Sequence, residues 1–271
     1  MIENQATQVL LRMHYRQMCQ MNLPHPNLID TEFRCYSQNG EDGILLYLFS
    51  VLGATNRKVV EVCAGNGIEC NAANLIVNHS WQGLLIDGDP GNVEAGRAFY
   101  ASHENTRFGP PTMVAAWVSA ENVDSLISDR GFSGDIDLLS LDLDGVDYWV
   151  WKAIHCIRPR VVVLEFNPVL GPERALTIPY DPSFRLDLSK QHNKCGASLA
   201  AFAKLGHEKG YRLIGAAALG FNAFFVREGL GDDILPEVSP EECFARVERI
   251  KGYGSSLLHL MYADGQQWEE V

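Results

Sequence analysis

Two apolar runs, YRLIGAA at 211–217 and AFFVR at 223–227, are separated by five residues. Five residues are too few for a crossover helix, so the two runs must pair antiparallel. Upstream, strand and helix signals alternate. Strand runs are read at 59–63, 83–87, 112–118, 136–142 and 161–166, and helices at 71–79, 91–101, 121–129, 148–156 and 196–210. Such alternation gives right-handed crossover units and a parallel sheet. The Val, Ile and Leu content of the runs suits strands covered on both faces. The chain therefore reads as an α/β domain whose parallel sheet ends in one antiparallel hairpin.

Two helices precede this pattern, at 5–21 and 41–52, with Pro24 and Pro26 in the loop between them. On the first, Val9, Leu10, Met13 and Met18 lie near one face. Met13, Tyr15 and Met18 read as exposed, so this helix is expected either to cover the active site or to make a homodimer contact.

The charge balance narrows the partners. Over 271 residues, 22 Lys and Arg stand against 34 Asp and Glu, a net charge of −12. An acidic chain without a basic run repels phosphate backbones, which argues against nucleic acid as a partner. No apolar stretch approaches the roughly 18 residues of a membrane span. The opening MIENQATQ is polar, unlike a signal peptide, and the seven cysteines form no CxxC pair. A cytoplasmic protein with reduced thiols is the expectation.

The first strand runs into Glu61-Val-Cys-Ala-Gly65-Asn-Gly67, and the second ends in Asp87. Ligands of such sheets sit beyond the carboxyl ends of the strands. Glycines after strand one let the backbone approach a ligand, and an acid ending strand two can accept hydrogen bonds from ribose hydroxyls. The pattern points to an adenosine-containing ligand. A nicotinamide dinucleotide prefers GxGxxG with pyrophosphate at the helix N-terminus. Here Cys70 takes the third glycine position and Glu69 sits close by. S-adenosylmethionine has no phosphate and carries a sulfonium, so acidic walls suit it.

The sequence resembles the class I S-adenosylmethionine-dependent methyltransferases, in particular the FkbM-like group. The matching residues are Ser37-Gln38-Asn-Gly-Glu41-Asp42-Gly, Glu61-Val-Cys63-Ala64-Gly65-Asn-Gly67, Leu85-Ile-Asp87-Gly-Asp89 and Leu141-Asp-Leu-Asp-Gly145. The resemblance spans roughly residues 35–228. It implies a Rossmann-like, seven-stranded, mostly parallel sheet with an antiparallel terminal hairpin. It implies that the 61–67 loop contacts the methionine part of the cofactor and that Asp87 holds the ribose. The Ser37–Asp42 segment would close over the cofactor, and Trp117 joins the cofactor set. One departure is Cys63, where the general motif has glycine. The expected division is an N-terminal helical extension at 1–35, the methyltransferase domain at 36–230 and a C-terminal helical extension at 231–271.

The fourth strand ends in Asp142-Leu-Asp144-Gly-Val-Asp147 and the fifth in Glu165-Phe-Asn167. In a parallel sheet these tips are neighbours. Asp142, Glu165 and Asn167 together offer oxygen ligands to a hard cation such as magnesium. The bland alternative gives Asp147 a helix cap and Asn167 a turn before Pro168. Asp142 is also a catalytic candidate. The long connection 166–194 reads as an ordered lid, with Tyr180, Phe184, Arg174, Arg185, Lys190 and Lys194. Its cations suit an anionic or polyhydroxylated acceptor, and a solvated surface loop is the alternative. His192, at the end of the lid, is the candidate general base.

The leading expectation is methyl transfer from S-adenosylmethionine to an oxygen, hydroxyl or carboxylate, of a small polar acceptor. The resemblance implies a sugar-containing natural product. The alternatives are an NAD(P)-dependent oxidoreductase and a non-catalytic adenosine-binding module.

Overall fold

The structure is a computed structural model, and it describes residues 5–187, 194–246 and 267–271. Helix α1 (Gln5–Gln20) and α2 (Glu41–Val51) lead into β1 (Lys58–Val62). Then come α3 (Ala73–His79), β2 (Gln82–Asp87), α4 (Pro90–Ser102), β3 (Thr112–Ala115) and α5 (Val123–Ser128). They are followed by β4 (Gly134–Leu141), α6 (Asp147–Ala153), β5 (Ile157–Glu165) and a short β6 (Leu176–Thr177). The chain continues with α7 (Leu199–Glu208), β7 (Tyr211–Ala216), β8 (Asn222–Arg227), α8 (Pro240–Arg246) and β9 (Glu269–Glu270).

Among the described residues, seven strands form one sheet in the order β3-β2-β1-β4-β5-β8-β7. The first five pair parallel, and β8 runs antiparallel to both β5 and β7. This is the Rossmann-like α/β architecture implied by the sequence, with its antiparallel end. The order reverses between β1 and β4, so the crevice for a ligand lies at their carboxyl ends.

Alternating side chains feed two cores. Leu84, Ile86, Leu139, Val162 and Leu164 face α5, α6 and α7, where Trp151 and Phe202 are buried. Leu85, Leu138, Val161 and Val163 face the other way, towards Ile44, Leu48 and Ile76 of α2 and α3. Each fully buried Leu or Val contributes about 1.5–3 kcal/mol, which is why a two-sided parallel sheet needs these apolar runs. At the amino end, buried Asp137 of β4 accepts hydrogen bonds from Thr55 N, Asn56 N and Arg57 N at 2.9, 2.8 and 2.6 Å, fixing the entry into β1.

Three features depart from the sequence reading. The face of α1 that packs inward carries Gln8 and Tyr15, so Tyr15, expected to be exposed, is buried, while Met13 is exposed as expected. Gln8 exchanges amide hydrogen bonds with Asn74, and Tyr15 stacks edge-on against Tyr47, leaving Leu10 and Met13 exposed. Strand β3 stops at Ala115, so Trp117 lies beyond it in the following loop. The region after 231 is not wholly helical, because β9 pairs with β6, a contact too short to leave a periodicity. No described helix is long and apolar enough to cross a membrane.

Candidate functional site

Backbone geometry sets the loop after β1. Cys63, Gly65 and Gly67 all have left-handed φ values, 60°, 55° and 68°. At Gly67 a Cβ would also come within 3.0 Å of Leu85 and Met113, whereas the same position on Gly65 faces open space. Asp87, at the tip of β2, holds this loop. Its Oδ2 accepts from Gly65 N at 2.8 Å, and its Oδ1 accepts from Asp89 N at 2.9 Å and Asn92 Nδ2 at 3.2 Å. Ala64 N in turn donates to Ile86 O at 3.1 Å.

Glu61 lies beneath the loop instead of in the crevice. Its carboxylate accepts from Asn71 N at 2.9 Å, Ala72 N at 2.7 Å and Ser140 Oγ at 3.3 Å. Burial pushes its pKa up, against the pull of these donors. The amides leading into α3 are thereby occupied by a carboxylate of the chain itself. In a dinucleotide site the corresponding amides face pyrophosphate.

The Ser37–Asp42 segment is built around two acids. Asp42 Oδ2 accepts from Cys35 N, Tyr36 N and Ser37 N at 2.7, 2.6 and 2.8 Å, and from Ser37 Oγ at 3.0 Å. Glu41 accepts from Asn39 N at 3.0 Å and Gly40 N at 2.9 Å, and Asn222 Nδ2 donates to it at 2.8 Å. Asn222 pairs with Glu165 across β5 and β8, so the segment is tied to the carboxyl end of the sheet. Two buried oxygens there, Asp42 Oδ1 and Asn222 Oδ1, have no donor among the described residues. Gln38 is exposed.

At the tips of β4 and β5, carboxylate oxygens of Asp142, Asp144 and Glu165 lie within 4.8 Å of one another. Asp142 and Glu165 lie side by side in this group, so the charge of one disfavours ionisation of the other. Both pKa values are raised, first by burial and then by the neighbouring carboxylates. Asp147, which accepts from Leu143 N at 2.6 Å and Gly145 N at 3.0 Å, is pushed up to about 6 by burial.

Of the expected magnesium set, Asp142 and Glu165 lie together with Asp144, which has a left-handed φ of 53°. Asn167 Oδ1 accepts from Val169 N at 3.0 Å and its Nδ2 donates to Cys195 O at 3.0 Å, so its amide is engaged in a turn. A cavity of about 130 Å³ opens beside Glu165, lined by Phe166, Asn167, Cys195, Gly196 and Phe221. Larger cavities of about 390 and 500 Å³ lie elsewhere, and none of the three has the glycine loop or Asp87 in its walls.

The strap from 176 to 187 crosses the same end of the sheet. Trp149 Nε1 donates to Ile178 O at 2.8 Å, and Tyr180 Oη donates to Glu121 at 2.6 Å while accepting from Ala120 N at 3.0 Å. Trp117 Nε1 donates to Pro182 O at 2.8 Å, and the Arg185 guanidinium stacks 4.4 Å above the Trp117 ring. Phe184 lies against Gly145, where a Cβ would come within 2.4 Å of its ring. Arg174 instead pairs with Glu270 at 3.2 Å, outside this face. His192 and Lys190 lie outside the described residues.

Tyr148 and Lys152 on α6 have the Tyr-x-x-x-Lys spacing that short-chain dehydrogenases use. Tyr148 is 3% exposed and packs near Phe202, with the Lys152 ammonium 5.8 Å from its ring centre. It is a core residue. Asn222 was missed, since its role depends on register, and the contact of Gly145 with Phe184 depends on a distant ring that its motif does not indicate.

No protein-family profile matches the chain, and no curated protein matches it. Solved structures similar to it include an S-adenosylmethionine-dependent methyltransferase from Clostridium acetobutylicum, at 11% identity and a TM-score of 0.45, covering 68% of this chain and 89% of that one. Another is magnesium protoporphyrin IX methyltransferase from Synechocystis with bound S-adenosylmethionine, at 9% identity, a TM-score of 0.41, and 84% and 86% coverage. A third is a methyltransferase from Streptomyces caelestis, at 13% identity, a TM-score of 0.43, and 66% and 87% coverage.

Proposed function

We propose that the chain is an S-adenosylmethionine-dependent methyltransferase acting on an oxygen of a small polar acceptor. The observation that carries this reading is the placement of Gly65 and Asp87 at the strand-order reversal, with Glu61 already filling the amides before α3. An adenosine ligand without phosphate fits that crevice, whereas a pyrophosphate would meet a carboxylate. The cofactor would supply a methyl group activated by positive sulfur.

The chain's own residues have three tasks. Asp87 binds the ribose and fixes the loop. The strap, with Trp117, excludes water and aligns the acceptor, and proximity of this kind is a large part of the catalysis of a displacement. The Asp142–Glu165 pair accepts a proton from a hydroxyl acceptor or hydrogen-bonds a carboxylate acceptor. The trio with Asp144 also has the hard oxygen donors that magnesium takes, and activity after exhaustive chelation separates proton from cation. The test of the main reading is calorimetric titration with S-adenosylhomocysteine, S-adenosylmethionine and NAD. Binding of the first two and not the third supports it.

A further inference from the structure

Residues 267–271 meet the base of the strap. Strand β9 pairs antiparallel with β6, Glu270 opposite Leu176 and Glu269 opposite Thr177. Val271 N donates to Ala175 O at 3.0 Å. The Trp268 ring packs on Val169, Leu170 and Leu176, and Glu270 pairs with Arg174 at 3.2 Å. On its other side β6 is held by a bridge from Thr177 to Ala197, and by Leu176 N donating to Ser198 Oγ at 3.0 Å.

A two-residue strand cannot hold its own conformation, because so few hydrogen bonds do not offset the backbone entropy lost. The position of β6 is therefore set by what flanks it. Downstream of β6 the strap contacts the ligand side through Trp149 to Ile178, Tyr180 to Glu121, Trp117 to Pro182 and Phe184 to Gly145. Shifting β6 by one residue would move each of these partners. The exposed ion pair of Arg174 and Glu270 adds little by itself, so beside the bonds to residues 196–198 the half-buried Trp268 ring is the main contribution of the 267–271 segment to fixing β6.

We propose that residues 267–271 are a clasp that holds the strap in register over the ligand face, with Trp268 as its positioning residue. The effect on ligand binding rests on the cofactor reading above, because the strap's partner Trp117 borders that site. The clasp itself does not.

The test uses the full chain and three readouts: tryptic cleavage after Arg185 followed by mass spectrometry, affinity for S-adenosylhomocysteine, and melting temperature. Trp268→Ala should speed cleavage after Arg185 by tenfold or more and weaken S-adenosylhomocysteine binding at least threefold. The melting temperature should stay nearly unchanged, and Trp268→Phe should restore both other values. Should Trp268→Ala fail to fold, Glu270→Arg should speed the same cleavage by a smaller factor, with Arg174→Glu added to it restoring the slow rate. Unchanged cleavage after Arg185 in the folded variants overturns the clasp. So does faster cleavage at every site together with a lower melting temperature, which marks a general loss of stability. If the wild-type protein binds no S-adenosylhomocysteine, the cofactor reading fails, and the cleavage rates alone still decide the clasp.

Discussion

The carboxylate of Glu61 accepts a hydrogen bond from Ala72 N at 2.7 Å. That one contact joins the end of β1 to the chain entering α3. Glu61→Gln keeps the shape but turns an amide donor towards Asn71 N or Ala72 N. A loss of about 1–3 kcal/mol in urea unfolding is expected, the penalty of an unsatisfied buried polar group. Wild-type stability in this variant would mean that the contact is dispensable.

The crowded carboxyl groups of Asp142 and Glu165 give the protein a pH signature. Carboxyl groups with raised folded pKa values bind more protons in the native state, so stability falls as pH rises from their unfolded values near 4 through their folded ones. For Asp147 that window closes at about 6, and for Asp142 at about 7. His79, pushed down to about 4 by burial, acts in the opposite sense below its unfolded value of about 6.5. Comparison with Glu165→Gln isolates the carboxyl pair. The variant should gain on the order of 1 kcal/mol over wild type at pH 8 relative to pH 5. Parallel stability curves for the two proteins would contradict the raised carboxyl pKa values.

Gly145 has no left-handed backbone requirement, so Gly145→Ala acts through the Phe184 ring alone. The methyl group should push the ring and its strap outward, while costing the fold only about 1 kcal/mol, the low end of overpacking. Acceptor KM should rise, and Trp117 fluorescence should change as its bond to Pro182 loosens. An unaltered emission spectrum would show that the strap tolerates the extra carbon.

Cys63 occupies left-handed space that costs a non-glycine residue roughly 1–2 kcal/mol. Cys63→Gly should relieve that strain, at the expense of some packing and chain entropy, and leave melting nearly unchanged. Cys63→Val should lower stability by about 2 kcal/mol, since branching adds to the clash. Equal melting temperatures for the glycine and valine variants would contradict the strained loop.

How much was legible in the sequence depends on the range of the interaction. The hairpin of β7 and β8 followed from a five-residue spacing, and the β1 loop and Asp87 from strand ends. These are local patterns. Asn222 reaches Glu41 across 181 positions, and no spacing rule connects them. The inward face of α1 was misread because Gln8 is buried through paired amides, so the polar residue lies inside while Leu10 faces solvent. Strand order places Asn167 at the tip of β5, but it does not give the bonds of its amide to Val169 and Cys195. The β6–β9 contact involves two residues on each side, below the length at which alternation can be read.

Direct calorimetric titration of the purified chain tests the central claim. S-adenosylhomocysteine should bind with one site per chain, and Asp87→Ala should weaken it by about 1.5–3 kcal/mol, the range for hydrogen bonds to a charged group. NAD should give no heat. Binding of NAD, or S-adenosylhomocysteine affinity unaffected by Asp87→Ala, would contradict the account.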